Sequence, residues 1–72
     1  MTLNQVRAYT RLVIKALYMA GWSAEATNLS SDLYSISYRP LPKDYLMVLE
    51  NAERLAARLL ANGCPAPVLP TT

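Results

Sequence analysis

The chain has no histidine and no phenylalanine, one cysteine and two glycines among its 72 residues. Each shortage removes a class of function. Without histidine, the commonest general acid–base and the commonest metal-binding side chain are both missing. The lone thiol, Cys64, excludes a disulfide within the chain and cannot fill a tetrahedral zinc shell. It has no imidazole to activate it, and the end of a helix disfavours a thiolate; it reads as a packing residue. Gly21 and Gly63 are isolated, so no glycine-rich loop can cradle a phosphate. We therefore expect no enzyme: no catalytic residue, no metal, no cofactor and no small-molecule substrate.

Charge is scarce as well. Seven Lys and Arg oppose five Asp and Glu, for a net charge of +2. That balance permits a nucleic-acid partner without demanding one. The carboxylates are Glu25, Asp32, Asp44, Glu50 and Glu53; Glu50 and Glu53 are i, i+3 neighbours and read as a solvated edge. Long apolar runs are missing too. Arg11 and Lys15 interrupt the first apolar stretch, well short of the roughly 18–20 residues a membrane span needs, and no signal-peptide layout opens the chain. The expectation is a cytoplasmic protein with no membrane partner, consistent with a free thiol.

What the chain does contain is helical periodicity. Apolar residues make up 53 % of it, which argues against disorder. Leu3, Val6, Tyr9, Val13, Leu17 and Ala20 recur on one arc of a helix over residues 3–20, with Thr2 as N-cap and Gly21 as stop. Pro42 suits a first helical position. From there to Asn62, Tyr45, Val48, Leu49, Ala52, Leu55, Ala56, Leu59 and Leu60 make a broad apolar arc, and Gly63 ends it. Glu50 and Arg54 are spaced to pair on the other side. Between these helices, Trp22, Ala26, Leu29, Leu33 and Ile36 share a helical face. Tyr34, Ile36 and Tyr38 alternate with serines in a strand-like way, but a single strand would have no partner, so a helix over 24–35 capped by Ser23 is expected. Pro40 breaks it.

The predicted fold is all-α: a small bundle of two long amphipathic helices, roughly antiparallel, plus a shorter connecting helix, forming one domain over 1–63. Residues 64–72 are expected to be a flexible, proline-rich tail. Leu12, Ile14, Met19 and Met47 fit neither a core arc nor a polar one. Such stray apolar residues point to a homodimer or another protein partner. Trp22, Tyr34, Tyr38 and Arg39 add the aromatic and arginine types enriched at binding hot spots.

A second feature is cationic. Arg7, Arg11 and Lys15 follow one another at i, i+4, within an arc of about 80°, and Tyr18 projects into the same sector. Cations with an interleaved ring suit phosphate contacts. Residues 16–33, with a turn at Gly21, resemble a helix-turn-helix; against that, Thr27 occupies a usually apolar position and 24–35 carries no Arg or Lys. The leading expectation is a non-enzymatic regulator, adaptor or inhibitor acting through protein–protein binding. The alternative is a nucleic-acid-binding regulator using the basic stripe.

Overall fold

Thr2 starts the first helix with a reciprocal pair of bonds. The Gln5 amide donates to the Thr2 hydroxyl oxygen at 3.2 Å, and the Thr2 amide donates to Gln5 Oε1 at 2.8 Å. This capping box satisfies two donors that the helix would otherwise leave bare. A computed structural model describes residues 2–38 and 42–69 of the chain, with the side chains of 37, 38, 42 and 43 left out of the description. Among the described residues the structure is three α-helices and no strand: α1, Leu3–Met19; α2, Ser23–Tyr38; and α3, Pro42–Ala61.

Helices α1 and α3 end in the same way. Trp22 donates its amide to the Leu17 carbonyl at 2.8 Å and Gly21 donates to Tyr18 at 3.0 Å; Cys64 donates to Leu59 at 2.9 Å and Gly63 to Leu60 at 3.0 Å. Both are Schellman motifs. Each needs a residue at positive φ, and the two glycines supply it, Gly21 at 83° and Gly63 at 76°.

The strand-like alternation over 34–38 is helical in the structure, and α2 begins one residue earlier than expected, with Ser23 inside it. The Ser and Thr side chains do not break α2 because they bond back along it. Thr27 Oγ1 donates to the Ser23 carbonyl at 2.8 Å, and Ser35 Oγ donates to Ser31 at 3.1 Å. Their hydroxyls thereby find acceptors without leaving helical geometry.

The expected antiparallel pairing of the outer helices is corrected. The Gly21 turn reverses the chain into α2, and α2 and α3 are antiparallel: the start of α2 (Glu25, Asn28) faces the end of α3 (Arg58), while its later residues Asp32 and Ile36 face Asp44 and Met47. Two reversals return the chain to its first direction, so α1 and α3 run parallel. Accordingly the end of α1 (Met19, Ala20) lies beside the end of α3 (Gly63, Cys64).

The core lies where the three apolar arcs meet. Val13 and Leu17 from α1, Ala26 and Leu29 from α2, and Ala52 and Leu59 from α3 are almost wholly removed from water. Thr10 joins them, its hydroxyl donating to the Val6 carbonyl at 2.7 Å, which removes the cost of burying it. Residues 64–69 also differ from the free tail the sequence suggests. Cys64, Ala66 and Leu69 pack against the core, so this segment is a strap laid on the bundle. The inward positions 66 and 69 are three apart, the repeat of an extended proline-rich chain.

Candidate interaction surface

Four apolar side chains stand in water near the parallel pair of helices. From α1 come Leu12, 54 % exposed, and Met19, 78 % exposed; from α3, Leu60, 62 % exposed; and from the strap, Val68, 86 % exposed. Leu12 and Met19 are seven residues apart, two helical turns, and so lie one above the other. The shallow groove between them is shared with the strap: Leu12, Lys15, Ala16 and Met19 line one wall, and Pro65, Ala66 and Pro67 the other.

Helix α3 repeats the pattern. Leu46, Glu53 and Leu60 are spaced by sevens, and all three are exposed. Glu53 lies near enough to the Tyr9 phenol of α1 to help hold its proton on, so this stripe borders α1. Sevenfold spacing on two parallel helices is the pattern that receives further helices. Sequence reading missed this half of the surface. It assigned Leu60 to the core arc, one position too far round, and did not single out Leu46. The 46–53–60 spacing was the available signal, hidden because its middle member is charged.

The remaining predicted binding residues do not gather there. Ile14, expected as an exposed stray, is partly buried against the core; it sits one turn beyond buried Thr10, at the edge of the arc. Trp22 also packs against the core, with Arg58 over its ring. Met47 is exposed, but it lines a cleft of about 330 Å³ between α2 and α3 with Asp32, Ser35 and Asp44. Tyr34 is exposed on the flank of α2 away from Asp32. The side chain of Tyr38, and Arg39 altogether, lie outside the described residues.

The basic stripe keeps three of its four members in water. Arg11, Lys15 and Tyr18 are exposed. Arg7 is half-buried instead, and its Nε is shut off from solvent without a hydrogen-bond partner among the described residues. It occupies the margin of the buried arc, one turn from both Leu3 and Thr10. On α3, the Arg54 guanidinium donates to Asn51 Oδ1 at 3.3 Å, so that Arg54 turns toward Asn51 and not toward Glu50. In the helix-turn-helix comparison, Ala26 is buried and Thr27 exposed, which leaves the motif's apolar position empty.

No helix among the described residues is long and apolar enough to cross a membrane. No family model matches the chain, and neither the curated proteins nor the solved structures contain a significant match to it.

Proposed function

We propose that this chain is a non-enzymatic helical interaction protein, a small cytoplasmic regulator, adaptor or inhibitor, that binds protein through the face made by α1, α3 and the strap. The observation that carries this is the exposure of Leu12, Met19, Leu60 and Val68 on neighbouring elements. Burying an aliphatic side chain of this size is worth roughly 1.5–3 kcal/mol, so four left in water favour association. A short chain gains most from that, since small domains bury little of their own surface. The absence of histidine from the whole chain supports a non-enzymatic role.

The test is sedimentation of the wild type against Leu12→Asp/Met19→Asp. The wild type should associate in the micromolar range and the variant should sediment as a folded monomer. Association that persists undiminished in the variant would remove the face from consideration.

A second reading is favoured by the alignment of exposed Arg11, Lys15 and Tyr18 along α1. These would contact nucleic-acid phosphates. With Arg7 half withdrawn, two freely placed cations neutralise about two phosphates, a log–log salt slope of about −1.8. That is weak binding, and the protein-binding reading ranks above it. Duplex binding that survives moderate salt and is lost in Arg11→Glu would reverse the ranking.

A further inference from the structure

We infer that the partner of this face is a second copy of the same chain, in a parallel two-fold dimer that lays α1 of each protomer along α3 of the other. The inference rests on the preceding proposal that the face binds protein, and adds the occupant and its direction.

The charges at the two edges of the face select the occupant. On α1, exposed Arg11 and Lys15 flank Leu12 and Met19. On α3, exposed Glu53 stands between Leu46 and Leu60, and exposed Glu50 lies beside them. One edge is cationic and the other anionic. A partner carrying a single sign of charge would complement one edge and repel the other. A second copy carries both.

Symmetry then selects the direction. Two copies facing each other can be related by a two-fold axis across the helices or along them. The axis across the helices sets α1 on the partner's α1, so that Arg11 and Lys15 meet their own like charges. The axis along the helices sets α1 on the partner's α3, and the cationic edge meets the anionic edge twice. Like-charge contacts across an interface are costly and complementary ones fix its register.

The heights agree with that choice. A rotation about an axis parallel to the helices leaves every residue at its own height. Met19 and Ala20 at the end of α1 stand beside Gly63 and Cys64 at the end of α3; Arg11 is eight residues before Met19 and Glu53 ten before Gly63, a difference in rise of about 3 Å. Arg11 therefore arrives near the level of the partner copy's Glu53 with no sliding. Lys15 follows one turn further on.

Charge reversal with rescue tests this. Arg11→Glu/Lys15→Glu and Glu50→Lys/Glu53→Lys each replace attraction by repulsion in both halves of the interface. Each variant, checked for helicity, should dimerise at least about tenfold more weakly than the wild type. Mixed in equal amounts they should form a heterodimer, visible by native mass spectrometry, because every reversed edge then meets its opposite. If the mixture gains nothing while Leu12→Asp/Met19→Asp still dissociates the wild-type dimer, the face remains an interface and the parallel arrangement is overturned. If the wild-type dimer ignores both kinds of change, the face itself is wrong and the functional proposal falls with the inference. A wild type that stays monomeric throughout the micromolar range overturns the second copy as occupant.

Discussion

The guanidinium carbon of Arg58 lies 5.3 Å from the centre of the Trp22 ring. This contact ties the turn between α1 and α2 to the last turns of α3. It also gives Trp22 a second role beside its place against the core. The ring covers core residues with one side and offers its electron-rich face to a cation with the other.

Arg58→Ala should lower stability by about 0.5–1 kcal/mol, the range for a cation over a ring at an exposed site. The measurement is the urea midpoint followed by the fluorescence of Trp22, the single tryptophan of the chain. Arg58→Lys should recover part of the loss, since an ammonium is also attracted to the ring but cannot stack flat on it. Equal losses for Ala and Lys would show that the guanidinium stabilises by packing and not by its charge.

Leu17 has no exposed surface and is among the largest of the fully buried side chains. Leu17→Ala should cost about 2–5 kcal/mol through lost burial and the cavity left behind. A domain of this size has little more than that to lose. The expected outcome is a chain largely unfolded at room temperature, read by circular dichroism. Leu12→Ala, in the same helix but facing water, should change monomer stability little.

The contrast between Leu17 and Leu12 shows what the sequence made legible. Periodicity places Val6, Tyr9, Val13 and Leu17 on one arc, and all four are buried. Leu12 and Met19 fall off that arc, and both are exposed. The two glycine stops were also readable, because each follows the last periodic residue and precedes a position that packs back. Three things were not. The direction of α3 relative to α1 depends on α2 being a full-length helix, and its serines and threonines hid that, since a pattern cannot show hydroxyls bonding back to carbonyls. The strap reads in sequence as a loose tail because its inward positions, Ala66 and Leu69, follow a three-residue repeat among prolines. Arg7 and Ile14 were misplaced by a few tens of degrees, which is the width of the boundary between buried and wet on a helix.

Gly63→Ala should destabilise the chain by roughly 1–2 kcal/mol, the cost of holding an L-residue in left-handed geometry. Space is not the obstacle, because a Cβ there would meet nothing within 4 Å, whereas φ stands at 76°. Gly21→Ala should cost about the same, for the same reason. The two differ in what they disturb: strain at 63 falls where the strap leaves α3. Amide exchange of residues 64–69 should therefore accelerate in Gly63→Ala and remain unchanged in Gly21→Ala. Equal acceleration in both would mean that the strap opens only when the whole bundle does.

Tyr9 links the packing of α1 against α3 to alkaline pH. Burial first, and the Glu53 carboxylate second, raise its phenol above the ordinary 10.0. The folded chain thus holds this proton to higher pH than the unfolded chain does. The stability contributed is fully present below pH 10.0 and is lost as pH rises through the raised folded-state value. Urea midpoints measured from neutral to strongly alkaline pH should fall more steeply for the wild type than for Tyr9→Phe, which has no proton to lose. Glu53→Gln should lie between them, because it removes the smaller cause and leaves burial in place. Parallel curves for the wild type and Tyr9→Phe would show that the alkaline loss does not arise at Tyr9, and that its hydroxyl reaches water more freely than its 3 % exposure implies.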